Sequence, residues 1–304
     1  MRCCIIGYGR AGKIQFEASS HINDIEIVYI VEQSDSVFES FCKDNFVNVK
    51  FETSFKKILN DTSIEAVIVT TPTTTHFEIC KDALLHGKNV FVEKPIALNF
   101  NDIHALYALA EEKNVLLFTA LNRRYDPQWS KLKKDIGDQY PFCINVICRD
   151  HPFPPKIYLQ SCGGIFRDAA IHDLDMLCRL VQDTPVSVDA RLDSEAETSS
   201  VILMFAKGCR VHMIHSRHSE SYEQTVTVVL SKSTLIMNSN DELKMTFQER
   251  YKQSYILQMQ DFCNRVKQKS FEPNIVLKHA QMLEKLLEAC DLSASIEKIV
   301  HVSH

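Results

Sequence analysis

The turn Gly7-Tyr8-Gly9-Arg10-Ala11-Gly12 follows the apolar run Arg2 to Ile6 and leads into a stretch, to Ser20, with no proline and no further glycine. Strand, tight turn and helix in that order constrain this chain more than any other feature it carries. Only eight of its 304 residues are glycine, so three at G-x-G-x-x-G spacing mark a place where backbone must come close to something. In such a turn Gly7 permits the bend, Gly9 lets a pyrophosphate approach the backbone and Gly12 lets helix and strand pack. The helix N-terminus then stabilises the anion. The pattern predicts a dinucleotide site involving Gly7, Tyr8, Gly9, Arg10, Ala11 and Gly12.

The run Ile25 to Val31 ends in Glu32, where a carboxylate can accept hydrogen bonds from the adenosine ribose hydroxyls. A 2′-phosphate about 4 Å from that carboxylate would cost on the order of 1 to 4 kcal/mol, depending on screening. Gln33 and Ser34 bring no cation to offset it, although Arg10 could do so in part. NAD is therefore expected over NADP.

Further runs, Ala66 to Thr70, Asn89 to Glu93 and Val115 to Thr119, alternate with helical stretches at His76 to His86 and Asn101 to Lys113. Val67-Ile68-Val69 shows no polar alternation, as expected of a parallel strand covered on both faces. The reading is an α/β fold with a doubly wound parallel sheet in a domain of residues 1–121. Beyond residue 121 the texture changes. Phe142 to Cys148, Val186 to Leu192, Val201 to Phe205, Arg210 to Ser216 and Gln224 to Leu230 alternate apolar with polar residues, which predicts an antiparallel sheet with one covered face in a second domain, 122–304. Met282, Leu283, Leu286, Leu287 and Cys290 recur at helical spacing and read as core packing.

Lys and Arg number 34 against 39 Asp and Glu, for a net charge of −5, so nothing compels binding to a phosphate backbone and nucleic acid is not expected as a partner. No apolar run approaches the roughly 20 residues that cross a bilayer. Met1 to Ile6 leaves no room for a secretory signal, and a cytoplasmic location is expected. The eleven cysteines, an odd number without C-x-x-C spacing, read as reduced thiols.

Two segments carry chemistry. Glu93-Lys94-Pro95 closes a strand, which stands Lys94 at the carboxyl edge of the parallel sheet, the edge where ligands bind. Gly163-Gly164 opens a segment in which Asp168, His172 and Asp175 fall four and three residues apart, on one face of a helix. A carboxylate one turn from an imidazole can orient the ring and support its cation, as a general base requires. The same groups could ligate a divalent ion, but no second histidine or cysteine pair completes the set, and no metal is expected.

Together the glycine loop, Thr71-Pro72-Thr73-Thr74-Thr75-His76, Gly87 to Pro95 and the GGxxxDxxxHDxD segment resemble the glucose-fructose oxidoreductase, inositol dehydrogenase and rhizopine catabolism (GFO/IDH/MocA) family. Asn122-Arg123-Arg124-Tyr125-Asp126-Pro127, Cys148 to Pro152, Ser216-Arg217 and Glu249-Arg250-Tyr251 bring it nearest the inositol 2-dehydrogenases of that family. The resemblance implies a Rossmann domain followed by an α/β domain with an open, mainly antiparallel sheet, often the seat of a homo-oligomer, dimer or tetramer. It implies a catalytic group of Lys94, Asp168 and His172. Arg123, His151 and Tyr222 are implied to bind a cyclic polyol or sugar. Thr71, Pro72, His76, Glu93, Lys94 and Asn122 are implied to join the glycine loop and Glu32 around the cofactor. The implied activity is NAD-dependent oxidation of a ring hydroxyl, foremost myo-inositol to 2-keto-myo-inositol. The alternatives are another sugar or polyol, or a non-catalytic NAD-binding sensor. The chain departs from the family pattern at Cys162, where serine is more usual, and in the glycine-free stretch Leu230-Ser231-Lys232-Ser233-Thr234.

Overall fold

The computed structural model describes residues 1–34, 37, 39, 48–238 and 246–302. The chain forms two compact units. The first comprises Met1–Leu121 with Tyr255–His279, and the second Asn122–Ser254 with Ala280–His304.

In the first unit six parallel strands, β1 (Arg2–Ile6), β2 (Glu26–Val31), β3 (Lys50–Glu52), β4 (Ala66–Val69), β5 (Asn89–Glu93) and β6 (Leu117–Ala120), lie in the order β3-β2-β1-β4-β5-β6. The order reverses between β1 and β4, which makes the carboxyl ends of those two strands the topological switch point of a doubly wound sheet. All four residues of β4 and the last four of β1 are buried. That explains their unbroken apolar sequence, since helices must cover both faces of a parallel sheet. The helix Phe100–Lys113 is started by Asn99, whose side chain accepts from the Asp102 N–H, and stopped by Asn114 in the left-handed region.

The sequence pattern predicts a second domain unbroken from 122 to 304, whereas residues 255–279 belong to the first unit. Phe262 explains the placement. Its ring lies edge-on to Phe91 on β5 and Phe118 on β6, at 5.5 and 5.7 Å between centroids. Apolar surface on two adjacent strands is thereby closed by one side chain that is fully buried.

The second unit holds a seven-stranded sheet of β7 (Cys143–Arg149), β8 (Pro185–Asp193), β9 (Thr198–Phe205), β10 (Arg210–Ser216), β11 (Glu223–Val229), β12 (Thr234–Asn238) and β13 (Val300–His301). The order is β12-β11-β7-β10-β9-β8-β13, antiparallel throughout except for β7 with β10. β9 and β11 alternate buried and half-exposed residues along their whole length, the pattern of a sheet with one covered face. Leu283, Leu286, Leu287 and Cys290 of the helix Pro273–Ile296 are buried, as their spacing predicts. Ser293 of that helix accepts the Ala190 N–H of β8 at 2.8 Å. Among the described residues no helix is long and apolar enough to cross a membrane, and ten cysteines are free thiols.

Replacing Phe262 by alanine should cost about 3 to 5 kcal/mol in denaturant unfolding, because the aromatic contact on β5 and β6 is lost and a cavity remains. A change below about 1 kcal/mol would show that residues 255–279 do not build the first core.

Candidate active site

Three short distances shape the glycine loop. Gly7 has φ +90°, and a Cβ there would stand 2.9 Å from Thr71 Cγ2 and 3.0 Å from the Thr70 backbone. A Cβ on Gly12 would stand 2.2 Å from the Gly7 carbonyl oxygen, whereas one on Gly9 would meet nothing within 4 Å. Gly7 and Gly12 are therefore required by the protein's own packing, and Gly9 keeps open the space above the loop. The Thr70 hydroxyl, at the end of β4, donates to the Gly7 carbonyl at 2.6 Å and pins the loop from below. The helix Arg10–Ser20 starts at Gly9 with no side-chain cap, so its first turn presents backbone N–H groups at the loop. Such a cradle fits the pyrophosphate of a dinucleotide.

Glu32 closes the site on the β2 side. Its carboxylate accepts the Tyr8 N–H on Oε2 at 2.9 Å, and the Gln33 and Ser34 N–H groups on Oε1 at 2.7 and 3.2 Å. The structure thus brings together Gly7, Tyr8, Gly9, Gly12 and Glu32 as the sequence predicts. Arg10 is exposed and Ala11 half-buried in the same turn. Glu93 accepts from Gln15 Nε2 at 2.7 Å, tying the end of β5 to the helix Arg10–Ser20. Burial pushes the Glu93 carboxyl up, against the pull of Gln15, Lys94 and Arg10. Lys94 follows, half-buried, and its bond to Pro95 is cis. Thr71 is half-buried and Pro72 exposed, while His76 is buried with its ring between the Thr71 and Pro95 carbonyls.

In the second unit the segment carrying Asp168 and His172 differs from the expected single α-helix. Phe166–Ala170 is a π turn, closed by the Ile171 N–H on the Phe166 carbonyl, and the α-helix runs only from Ile171 to Val181. The π turn holds Asp168, and the α-helix that bears His172 and Asp175 begins directly after it. Asp168 is also held from outside the helix. Tyr158 Oη donates to Oδ1 at 2.6 Å, and Arg217 Nη1 stands 3.1 Å from Oδ2. Arg217 is fully buried, with Glu197 at 3.2 Å and the Cys162 sulfur at 3.5 Å, so the unusual cysteine packs on the cation that holds Asp168. Asp175 accepts both Nε and Nη2 of Arg124 at 2.7 Å, a bidentate pair that occupies the carboxylate considered for a metal.

The residue after His172 was missed by the sequence reading. Asp173 is completely buried and lies at the end of a directed hydrogen-bond chain. Arg123 Nη2 donates to Tyr222 Oη at 3.3 Å, Tyr222 to Tyr251 at 2.9 Å, Tyr251 to Gln224 Oε1 at 2.5 Å, and Gln224 Nε2 to Asp173 Oδ1 at 3.0 Å. Arg123 Nη1 meets the same oxygen directly, and His215 Nε2 lies 2.8 Å from Oδ2. Burial alone would push the Asp173 carboxyl up, but Arg123 and His215 outweigh it and hold the group well below the usual carboxylate range. Burial also keeps the Tyr222 and Tyr251 phenols protonated, as the donor direction requires. Cys148, Asp173 and His215 stand close enough to surround a metal. The guanidinium of Arg123, 3.4 Å from the Cys148 sulfur, already supplies the positive charge there.

Arg123 and Tyr222, expected to meet a polyol, are thus both buried and point their polar ends at each other. His151 is half-buried, with Nδ1 2.9 Å from the Ser219 carbonyl, so a neutral ring carries its proton on Nδ1. Asn122 is buried and its Nδ2 lies 3.3 Å from Ser254 Oγ. His215 and Gln224 had a signal in the sequence: each occupies an inward position of an alternating strand, where a polar side chain demands a partner.

Comparisons with known proteins agree with the geometry. The family model described as an oxidoreductase family, NAD-binding Rossmann fold, matches residues 1–121, and the GFO/IDH/MocA C-terminal domain model matches 134–236. The chain is 30% identical over 308 residues to a myo-inositol 2-dehydrogenase of Thermotoga maritima, covering 91% of this chain and 90% of the relative. It is also 30% identical over 249 residues to an inositol 2-dehydrogenase of Rhizobium meliloti, covering 77% and 74%. A crystal structure of a probable dehydrogenase from Thermotoga maritima superposes with TM-score 0.89 at 26% identity, covering 99% of both chains.

Two outcomes follow. Gly12→Ala should destabilise the protein by about 1 to 3 kcal/mol or prevent folding, while Gly9→Ala keeps wild-type stability in denaturant melts and weakens NADH binding. Equal stability of the two variants would contradict the packing of the loop. Asp173→Asn should cost about 3 to 5 kcal/mol at neutral pH, because Arg123 loses its buried partner. The folded pKa of Asp173 is depressed, so its contribution is present above the ordinary carboxylate pKa of about 4 and is lost as pH falls through the folded value. The stability gap between wild type and Asp173→Asn should therefore narrow below about pH 4. A gap that stays constant into strong acid would contradict the buried ion pair.

Proposed function

The chain belongs to the GFO/IDH/MocA family of NAD-binding oxidoreductases, and on that premise we propose that it oxidises a ring hydroxyl of a cyclic polyol, with myo-inositol converted to 2-keto-myo-inositol. It is an NAD-dependent dehydrogenase. The observation that carries the polyol reading is the near full-length similarity to inositol dehydrogenases.

NAD, when bound, supplies the hydride acceptor. In the proposal His172 takes the hydroxyl proton as the carbon-bound hydride leaves. Lys94 hydrogen-bonds the same oxygen and stabilises the charge that develops on it. Asp168 orients His172 and the substrate. Both of its oxygens are already held, by Tyr158 and Arg217, and this supports a fixed acceptor rather than a group that carries protons away. Arg123 and Tyr222 enter as supports of the helix that bears His172, through Asp173, because their polar ends are spent inside the unit. His151 is the remaining candidate for a direct hydrogen bond to the polyol.

The preference for NAD over NADP is also part of the proposal. A carboxylate has about four acceptor sites. Three backbone N–H groups fill both sites of Glu32 Oε1 and one of Oε2. One remains for a ribose hydroxyl, and a 2′-phosphate would face the whole negative charge. A homo-oligomer, supported by the half-exposed outer face of the second sheet, and a cytoplasmic location belong to the same proposal.

Incubating the purified protein with NAD and a panel of polyols, and following NADH absorbance, should give turnover on myo-inositol or a near stereoisomer. Lys94→Ala and His172→Ala should still bind NADH and lose at least about 100-fold in rate. Reaction with only an aldose or deoxy sugar would overturn the inositol assignment, and a near-normal rate in either variant would remove that residue from the mechanism. NADH binding with no turnover on any polyol would favour a sensor.

A further inference from the structure

His76 opens the helix His76–Leu85 and is 1% exposed. Its Nδ1 lies 2.8 Å from the Pro95 carbonyl oxygen and its Nε2 lies 2.9 Å from the Thr71 carbonyl oxygen. Both neighbours are acceptors without a hydrogen to offer. A neutral imidazole has a single N–H, so it can donate to one carbonyl and must turn a lone pair toward the other. Only the imidazolium satisfies both. Burial opposes that cation, as does the ammonium of Lys94, and together they hold the ring below the ordinary histidine pKa while the two carbonyls pull it up. Among the described residues, Lys94 is the charged side chain that acts on the ring.

The two carbonyls come from different strand ends. Thr71 follows β4, and its methyl group lies against the position of a Gly7 Cβ in the glycine loop. Pro95 directly follows Lys94 at the end of β5. Both ring nitrogens face these carbonyls at 2.8 and 2.9 Å, which leaves neither turned to a cofactor, the role the resemblance implies. We propose that His76 is a positioning residue: its buried neutral ring sits between the Pro95 and Thr71 carbonyls, donates to one and packs against the other, and so holds the backbone that carries Lys94 next to the Thr71 segment beside the glycine loop. The inference rests on the reading of Lys94 as the group that stabilises the reacting oxygen. It adds a residue that acts through Lys94 and touches neither substrate nor cofactor.

The test has one arm that needs no turnover. In the full-length protein labelled with ¹⁵N-histidine, the His76 ring should be singly protonated at neutral pH and take its second proton only below the ordinary histidine range. In Lys94→Met, which removes the opposing ammonium, that midpoint should move up. A ring that titrates like an exposed histidine, or ignores Lys94→Met, overturns the coupling. In the kinetic arm His76→Phe should lower kcat about 10- to 100-fold, with NADH affinity unchanged and part of the rate restored in His76→Gln, which keeps a donor. Loss of NADH affinity with kcat retained would make His76 a cofactor contact and overturn the proposal. Should the wild-type protein turn over no polyol, the catalytic reading of Lys94 fails by itself, and the NMR and NADH-binding arms still decide whether His76 joins the two segments.

Discussion

The negative charge of Asp173 is the constraint on which the second unit depends. A carboxylate with no solvent exposure costs several kcal/mol in lost hydration unless donors replace the water. The fold meets this demand with Arg123, His215 and Gln224, drawn from three separate stretches of the unit and all aimed at one carboxylate. The donors behind them, Tyr222 and Tyr251, run in one direction and end on the same charge. Because a closed network of this kind admits few rearrangements, it fixes the helix Ile171–Val181, and with it His172, the neighbour of Asp173.

The first unit solves a different problem. It must bring backbone close to a ligand, which glycine permits and side chains forbid. Gly12 packs so tightly on the Gly7 carbonyl that no Cβ fits, and the open space is kept at Gly9. Strand ends on either side of the switch point are then joined by side chains that reach across: Thr70 to Gly7, Glu32 to Tyr8, Gln15 to Glu93, and His76 to both Thr71 and Pro95. A loop tied at so many points is preorganised, so little ordering entropy is left to be lost on binding.

Much of this was legible in the sequence, and the failures have physical causes. Parallel strands such as β4 and β5 announce themselves by unbroken apolar runs, and the glycine spacing names the loop. β3 (Lys50–Glu52) and β13 (Val300–His301) are edge strands of three and two residues, too short for any period to emerge. Phe262 belongs to the first sheet because of two phenylalanines about 140 to 170 residues earlier, a relation no local pattern encodes. Asp168 and His172 stand four residues apart, and nothing in that spacing announces that the turn holding Asp168 is π rather than α. The family resemblance implies Arg123 and Tyr222 as polyol contacts, and no local pattern shows that both also belong to the network around the buried Asp173. His215 and Gln224, at inward positions of β10 and β11, were the available warning that the core of this unit is not wholly apolar.

The proposed function has the Lys94 ammonium and the His172 imidazole act on one carbinol oxygen. A crystal structure of the protein with NADH and a bound polyol tests it most directly. The account predicts Lys94 Nζ and a ring nitrogen of His172 both within about 3 Å of the same hydroxyl, with its carbon facing the nicotinamide. A polyol bound with either nitrogen turned away from that oxygen would contradict it.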